Sequence, residues 1–348
     1  MKSRILFVFV FAFNLVLNSQ TAENYLFEGE KRLTNLRMLT NSGENAEAYW
    51  SFDETKLIYQ AKIGDMKCDQ IFVMNADGSD KRMVSSGKGR TTCSYFLPGD
   101  SKIVYASTKA YMDECPPPPD FSRGYVWKLY DEFEIFIDDP EGGNPVQVTF
   151  NEAYDAEATV SPKGDKILFT SFRDGDPEIY VMDIDGSNQT RLTFEQGYDG
   201  GAFFSWDGEL IVFRASRPKT KKELDDYNDL VVNKLVRPTT LEIYVMNADG
   251  SNIRQVTNFG KASFAPFFHP DNKRIIFSSN INSKDGRAFD LYMVDIDGSN
   301  LEQITFNKSF DGFPMFTSDG KRLVFASNRF GVKEGDTNIF VADWVEVE

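Results

Sequence analysis

The chain has 348 residues, of which 53 are acidic and 38 basic, and its net charge at neutral pH is −15. A surface this acidic repels nucleic acid and anionic lipid, so these partners are not expected and cationic partners are favoured. The length suffices for one or two ordinary domains, and closed all-β folds commonly reach it as one.

The first 22 residues have the layout of an export signal. Lys2 and Arg4 precede an apolar run over residues 5–17, and small or polar residues follow it. The run is short for a bilayer span, and no cysteine stands at the expected cleavage point to carry a lipid. We therefore expect residues 1–22 to be removed and the mature protein to be periplasmic or secreted, without membrane insertion. Retention of the segment as an N-terminal anchor is the alternative.

One pattern then recurs six times along the chain. A strand leads into a turn of the Ser-Pro-Asp-Gly type, and two further strands, an Asp-Gly-Ser turn and a short final strand follow. The six first turns are centred on Phe52, Pro98, Pro162, Trp206, Pro270 and Ser318. Such a period is typical of a repeat fold. Four short β-rich runs in each repeat indicate four-stranded antiparallel sheets.

The two ends of the repeat region complement each other. The last repeat stops after its third strand, whereas residues 36–40 resemble the final strand of the other repeats. Residues 33–40 are therefore predicted to complete the sixth sheet, which closes a ring without exposed sheet edges. Residues 23–348 are thus predicted to form a single all-β domain, a six-bladed β-propeller. The predicted blades are residues 44–85, 90–150, 154–194, 198–258, 262–306, and 310–348 together with 33–40.

These repeats resemble the PD40 (WD40-like) repeats of TolB-type six-bladed propellers, which also form the propeller of S9 (prolyl-oligopeptidase-like) peptidases. The resemblance covers almost all of the chain after the first 22 residues, and it implies the fold. It implies no single function, because this propeller occurs in binding proteins and as a module of enzymes. It also implies that partners bind on the face that carries the connections between blades.

Two repeats carry long insertions between their second and third strands, at residues 111–132 and 218–240. Both are expected on that loop-bearing face, where they would flank the third blade as the walls of a cleft over the central channel. Tyr125 and Trp127 in the first insertion are aromatic residues of the kind that recognition surfaces use. The second insertion is highly charged, and we favour a solvated loop there. For both, a tolerated surface insertion is the alternative.

A single histidine, His269, occupies the serine position of the fifth turn. We expect a structural role for it. A metal site built from several histidines is excluded, and a Ser-His-Asp hydrolase would have to use this one residue. The sequence thus predicts no catalytic residue and no organic cofactor.

Alignment of the six innermost strands gives two sets of residues that are expected at the channel mouth, because residues two apart on a strand share a face. The first set is Asn45, Thr91, Asp155, Asp199, Ser263 and Asp311, and the second is Glu47, Cys93, Glu157, Gly201, Ala265 and Phe313. The predicted ligand-binding residues among them and beside them are Asn45, Glu47, Arg90, Asp155, Glu157, Asp199 and Asp311, with Tyr125 and Trp127 above.

Carboxylates in a ring repel one another unless a cation lies among them. The expected ligand is therefore a hard cation such as Ca²⁺, or a basic group of a peptide or protein partner. In the alternative, the acids accept hydrogen bonds from backbone amides at the blade entrances. A further set of partners for them is the recurring basic residues Lys109, Arg173, Arg217 and Arg329.

The three cysteines are expected to form one disulfide after export and to leave one thiol. Their places in the repeats put Cys68, Cys93 and Cys115 on the loop-bearing face around the first two blades. Cys68 with Cys93 is the preferred pair, and Cys93 with Cys115 is the rival.

These features predict an exported, monomeric binding propeller that recognises a protein, a peptide or a glycan on its loop-bearing face and has no covalent chemistry of its own. The resemblance to TolB-type propellers implies an interaction role in the cell envelope. The alternative is an enzyme, a lyase or hydrolase that depends on a metal or on carboxylates at the channel mouth. A propeller that serves a separate S9-type peptidase is the third interpretation.

Overall fold

The computed structural model describes residues 25–347, and the expected export signal at residues 1–22 lies outside them. Within this range the chain forms six four-stranded antiparallel sheets and one two-stranded sheet. The six larger sheets are arranged in a ring, and the innermost strand of each packs against the innermost strand of the next. The predicted all-β, six-bladed propeller is confirmed.

The strands are, in chain order, β1 (Leu33–Met38), β2 (Glu44–Trp50), β3 (Lys56–Lys62), β4 (Gln70–Asn75), β5 (Arg82–Met83), β6 (Thr91–Phe96), β7 (Ile103–Ser107), β8 (Trp127–Lys128), β9 (Glu134–Asp138), β10 (Val146–Gln147), β11 (Asp155–Val160), β12 (Lys166–Ser171), β13 (Glu178–Asp183), β14 (Thr190–Arg191), β15 (Asp199–Phe204), β16 (Leu210–Ala215), β17 (Leu235–Val236), β18 (Glu242–Asn247), β19 (Arg254–Gln255), β20 (Ser263–Phe268), β21 (Arg274–Ser279), β22 (Asp290–Asp295), β23 (Glu302–Gln303), β24 (Asp311–Phe316), β25 (Arg322–Ser327) and β26 (Asn338–Trp344). The helical elements of this part of the chain are α1 (Lys221–Val232) and two 3₁₀ turns, Pro98–Asp100 and Phe121–Arg123. From the channel outwards, the blades are β2-β3-β4-β5, β6-β7-β9-β10, β11-β12-β13-β14, β15-β16-β18-β19, β20-β21-β22-β23 and β24-β25-β26-β1.

The ring closes in the sixth blade, as predicted. Strand β1 pairs antiparallel with β26, with Arg37 opposite Val341. A buried ionic contact lies beside this seam, where the carboxylate of Glu30 accepts hydrogen bonds at 3.1 and 3.0 Å from the guanidinium of Arg329. Both side chains are fully buried. The segment before β1 is thus held to the last blade by charge as well as by strand pairing.

Each blade contains one aromatic pair in its core. A Tyr or Phe in the middle of the second strand stands opposite a Tyr or Phe of the third strand, with ring centroids 5.6 to 6.1 Å apart. Such pairs contribute about 0.5–1.5 kcal/mol each beyond the area that they bury. The pairs are Tyr59–Phe72, Tyr105–Phe136, Phe169–Tyr180, Phe213–Tyr244, Phe277–Tyr292 and Phe325–Phe340.

The Ser-Pro-Asp-Gly turns fix each blade to the next in one of two ways. In the first way, the second residue of one turn donates its backbone N–H to the fourth residue of the turn in the following blade. The pairs are Phe52 to Asp100 at 2.8 Å, Trp206 to Asn272 at 2.8 Å, and Ser318 to Glu54 at 2.6 Å. Each of the three accepting residues, Asp, Asn or Glu, therefore has a side-chain oxygen that can accept this N–H.

In the second way, the second turn residue is proline, which has no N–H to donate. The fourth residue of the following turn is then a glycine with positive φ. The pairs are Pro98 with Gly164, Pro162 with Gly208, and Pro270 with Gly320. A β-carbon on Gly164 would lie 1.9 Å from Cγ of Pro98, so only glycine fits against that ring. All six blade contacts thus follow one of two matched rules.

The two long insertions join each other above the third blade. Strand β8 of the first pairs with β17 of the second, and ion pairs link Arg123 to Asp229 and Lys234 to Asp131. The second insertion is not the solvated loop that we favoured, because it contains helix α1. A capping box between Thr220 and residue 223 starts this helix. We call the joined unit, residues 120–131 and 220–237, the insertion cap.

No helix among residues 25–347 is both long enough and apolar enough to cross a bilayer.

Candidate binding cleft at the channel mouth

All six innermost strands bulge at the same position. The pairing with the second strand shifts there in every blade. The bulged residues have φ between +48° and +59°, and they are Glu47, Cys93, Glu157, Gly201, Ala265 and Phe313. A bulge re-aims the side chain that it carries, and all six residues line one small cavity in the channel. The second predicted set is thus brought together as a ring.

Gly201 leaves a gap in this ring, and Arg214 fills it. A β-carbon on Gly201 would lie 2.1 Å from the Arg214 guanidinium. Arg214 forms an ion pair with Glu157 and donates to the Tyr198 hydroxyl at 2.8 Å. Glu157 also accepts hydrogen bonds from the Thr170 hydroxyl at 2.7 Å and from the Gly201 N–H at 3.0 Å. The charge of Glu157 is therefore compensated.

Glu47 stands in the same ring and makes no ion pair with a Lys or Arg among residues 25–347. The charge of Arg214 lowers the pKa of Glu47 without cancelling the effect of burial, and the Glu47 carboxylate accepts a hydrogen bond from the Cys93 thiol. Burial, and after it the negative charge of Glu157, raises the pKa of Glu47 to about 7. Burial also raises the pKa of the Cys93 thiol, which therefore stays protonated at neutral pH. Glu47 is thus the carboxyl of the ring that a cationic ligand would stabilise most.

The first predicted set lies elsewhere. All six of its members are fully buried at the blade entrances. Asp155 and Asp199 are each 2.7 Å from an arginine, and Asp311 is 2.9 Å from one. The prediction that these residues lie in the ring is therefore wrong. A role for them in ligand binding stays a prediction. The alternative partners are confirmed for three pairs, Asp155–Arg173, Asp199–Arg217 and Asp311–Arg329.

Each of these arginines follows its aspartate by 18 residues, and the spacing explains the exceptions. Blades that begin with Asn45 or Ser263 have isoleucine at the matching position. The blade that begins with Thr91 has Lys109 there, whose ammonium donates to the Tyr105 hydroxyl at 2.5 Å. Burial lowers the pKa of Lys109 to about 8. Arginine therefore stands only where an entrance aspartate has to be neutralised.

Asn45 and Arg90 also make structural contacts. The Asn45 amide donates to the backbone carbonyl of Thr337 at 2.8 Å. Arg90 lies 3.5 Å from Asp69 and over the ring of Tyr130. A cleft lies above the ring, and neither residue lines it. Their contact with a ligand stays a prediction.

A cleft of about 1000 Å³ opens above the ring on the loop-bearing face. Its floor contains Glu47, Glu157 and Arg214. The insertion cap forms one wall with Tyr125 and Trp127, both of which were predicted at this face. The opposite wall is a phenylalanine cluster that consists of Phe264, Phe289, Phe310 and Phe313. The cap therefore walls one side of the cleft, where two separate loops were expected.

The two walls differ in their contacts. Trp127 packs edge-on against Tyr198 and covers the Arg214 guanidinium, which lies 5.3 Å from its ring centre. Tyr125 is 63 % exposed. Across the cleft, Phe264 contacts Phe289 with ring centroids 5.2 Å apart. The cleft thus offers aromatic faces on both sides and a carboxyl at its base, and its lining also contains the basic residues Lys128, Lys261 and Arg287.

Sequence reasoning missed Arg214, Tyr198 and three of the four members of the phenylalanine cluster; only Phe313 was expected at the channel mouth. Gly201 carried the one available signal, because glycine stands in the ring where the other blades have side chains. The cluster combines residues of the innermost strands β20 and β24 with residues directly before β22 and β24, so no local pattern marks it.

The disulfide joins Cys68 to Cys115, with Cα atoms 5.9 Å apart, and Cys93 is the free thiol. Both pairings considered from the sequence were wrong. The reason is the bulge of β6, which turns Cys93 into the channel ring, whereas the other two cysteines meet at the loops. The bond ties the first insertion to the first blade.

His269 is buried between Asp271, 3.1 Å away, and the ring of Phe316. Burial lowers the pKa of His269, so it is neutral at physiological pH. Within the described residues, no group of three or more His, Cys, Asp or Glu side chains is arranged to hold a metal ion.

The family model of the PD40 TolB β-propeller domain matches residues 125–235 and 236–344. The chain belongs to this family. Solved structures similar to this PD40 propeller include one assigned to TolB from Agrobacterium tumefaciens, at 18 % identity and a TM-score of 0.58, over 89 % of this chain and 94 % of that one. TolB from Acinetobacter baumannii is 19 % identical with a TM-score of 0.54, over 88 % of this chain and 64 % of that one.

An oligogalacturonate lyase from Vibrio parahaemolyticus is 13 % identical to this PD40 propeller, with a TM-score of 0.52 over 88 % of this chain and 93 % of that one. At these identities the similarity shows the fold alone. No curated protein matches the chain in sequence.

Proposed function

We propose that this PD40 propeller is an exported binding protein that holds a peptide segment of a protein partner in the cleft, with a basic group of the segment on Glu47. The observation that carries the proposal is the carboxyl of Glu47, which lies without an ion-pair partner at the base of a cleft with aromatic walls. We further propose a periplasmic or secreted location and a monomeric state. The disulfide between Cys68 and Cys115 supports an oxidising compartment.

The floor and the walls favour different parts of such a segment. The pKa of Glu47 is about 7, so at neutral pH the carboxyl is partly protonated. A cation at the floor favours the charged carboxylate and lowers this pKa. Aromatic side chains in a partly closed cleft are the usual anchors for apolar residues of a partner. A segment with one Lys or Arg between apolar residues therefore fits both features.

A glycan would also stack on aromatic walls, and the same cleft could hold one. A neutral sugar leaves Glu47 without a cation, so the peptide is the occupant that we favour.

Capture from an envelope extract of the source organism, followed by direct titration of overlapping peptides from the captured protein, tests the proposal. Glu47→Gln keeps the shape of the side chain and removes its charge, and Trp127→Ala removes part of one wall. Phe150→Ala, whose exposed ring lines neither the cleft nor the other cavities of the channel, is the matched control. We expect a basic peptide to bind the protein and the control equally, and to bind Glu47→Gln at least tenfold more weakly, since hydrogen bonds to charged groups contribute about 1.5–3 kcal/mol.

Equal binding by Glu47→Gln would refute the role of the floor. Binding of glycans alone would replace the peptide with a sugar. Conversion of a bound glycan or peptide to product would favour the enzyme interpretation.

A further inference from the structure

A second cavity lies at the other end of the channel, on the face formed by the six Ser-Pro-Asp-Gly turns. Its volume is about 200 Å³. Its aromatic lining, which we call the aromatic bowl, consists of Trp50, Phe52, Tyr95, Phe203, Phe204, Trp206, Phe267 and Phe316. Tyr49 packs on Phe203 with ring centroids 5.5 Å apart, between the bowl and the ring of bulged residues. The bowl is therefore separate from the cleft described above.

Two indole N–H groups and one carboxylate of the bowl are already used within the protein. The indole N–H of Trp50 donates to the Met315 carbonyl at 3.3 Å, and that of Trp206 donates to the Phe268 carbonyl at 3.0 Å. Glu54 accepts the Ser318 N–H and pairs with an arginine. What the bowl offers to a ligand is consequently mainly ring faces and apolar edges, together with the Tyr95 hydroxyl. The Arg322 guanidinium already lies 4.6 Å from the centre of the Trp50 ring. Phe52, which is 38 % exposed, stands at its open side.

The turns around the bowl carry more acidic than basic residues. Their 24 residues include six carboxylates and one lysine, namely Asp53, Glu54, Asp100, Asp207, Asp271, Asp319 and Lys163. Three of the carboxylates pair with basic residues that follow the turns, in the pairs Glu54–Arg322, Asp271–Arg274 and Asp319–Lys321, and the others make no ion pair among residues 25–347. Asp100 lies directly against the bowl, because its carboxylate accepts the N–H groups of Phe52 and Asp53 at 2.8 and 2.9 Å. The faces of aromatic rings also carry negative electrostatic potential. Both the ring faces and the surrounding carboxylates therefore attract cations.

We propose that the aromatic bowl binds a small organic cation, that is, an ammonium group carried on an aromatic or aliphatic body. Cations bind to the faces of Trp, Tyr and Phe rings within about 6 Å of the ring centre. Apolar cavities of about 150 Å³ take up benzene, so the bowl has room for one ring with a short substituent. The ammonium end of such a ligand would point outwards to the acidic turns.

Three probes of similar size and different charge test the proposal: 2-phenylethylammonium, 2-phenylethanol and phenylacetate. Binding to the purified mature protein is followed by tryptophan fluorescence, since Trp50 and Trp206 line the bowl, and by calorimetry. We expect the cation to bind roughly tenfold more tightly than the alcohol at low salt. The carboxylate should not bind measurably, and added salt should weaken the cation.

Two sets of variants locate the site. Phe52→Ala removes the exposed ring and keeps the backbone N–H that Asp100 accepts, so its fold should be unchanged and its affinity for the cation several-fold lower. Asp53→Asn with Asp319→Asn keeps the turn hydrogen bonds and should reduce the preference for the cation over the alcohol. Phe150→Ala, whose exposed ring lines neither the bowl nor the cleft, should bind all probes as the parent does.

Equal affinity for the three probes would overturn the proposal, because the bowl would then be a general apolar site. Absence of cation binding at millimolar concentration would also overturn it, as would full binding by folded Phe52→Ala.

Discussion

Glu134 provides the sharpest test of how the blades meet. It begins β9, it is fully buried, and it faces the entrance of the next blade, where Asp155 begins β11. Burial raises the pKa of Glu134 to about 7, and Asp155 adds to the rise. Gln70 occupies the equivalent place in the first blade, and there it accepts hydrogen bonds from the Ser85 hydroxyl and the Gly87 N–H.

The sign of the pH effect follows from the raised pKa. A group whose pKa is higher in the folded than in the unfolded state stabilises the fold below its unfolded pKa, and this contribution is lost as the pH rises through the folded pKa. For Glu134 the window runs from the ordinary value of 4.5 to about 7. At about 1.4 kcal/mol for each pH unit, the free energy of unfolding should fall by roughly 3 kcal/mol across this window.

Glu134→Gln should therefore stabilise the protein by about 2–3 kcal/mol at pH 8 and by little at pH 5. The amide oxygen can still accept the Asn151 N–H and the Tyr111 hydroxyl, which contact the carboxylate at 3.0 and 3.2 Å. Urea unfolding at the two pH values measures the difference.

Glu242→Gln is the matched control, because Glu242 occupies the same place in the fourth blade but faces Ser263. Its carboxylate accepts the N–H groups of Phe259 and Gly260, both at 2.7 Å. This variant should be no more stable than the parent at either pH. The reasoning is refuted if Glu134→Gln gives no gain at pH 8, or if the control gains as much.

Three further outcomes are expected. Arg329→Ala leaves two buried carboxylates without their cation and should lower the free energy of unfolding by at least about 3 kcal/mol in urea titrations; a loss below about 1 kcal/mol would contradict the ionic role. Gly164→Ala should lower the melting temperature far more than Gly175→Ala, because both glycines have positive φ but only Gly164 meets the ring of Pro98; equal losses would show that backbone strain alone matters. Thiol titration of the denatured, unreduced protein should find one thiol, on Cys93, by labelling and mass spectrometry, and three thiols would contradict the disulfide.

The fold could be predicted because each blade has its own turn residues and strand pattern, which are local signals that recur along the sequence. The channel ring could be predicted in part. Asp155 and Glu157 are two residues apart, and a regular strand would place them on one face. The bulge at Glu157 breaks this alternation. All six innermost strands have this bulge, but the bulged residues are as different as Glu, Cys and Phe. No residue type therefore marks the bulge in the sequence.

The insertions show the same division between local and long-range information. The Thr220-x-x-Glu223 pattern that caps α1 is local and could have been read from the sequence. The pairing of β8 with β17 joins segments more than a hundred residues apart, and two residues in each strand are too few to predict it.

The two kinds of turn contact determine which blade can stand beside which. A proline turn placed before Asp100, Asn272 or Glu54 would remove the N–H that its second residue donates to that side chain. A turn with a free N–H placed before glycine would lose its acceptor. In two of the six blades, the second and the fourth turn residue belong to the same kind of contact. The first blade has a donating N–H at Phe52 and an accepting side chain at Glu54, and the third has Pro162 and Gly164. Only these two could be duplicated in tandem with every contact preserved, so the turns limit how a ring of this kind can gain a seventh blade.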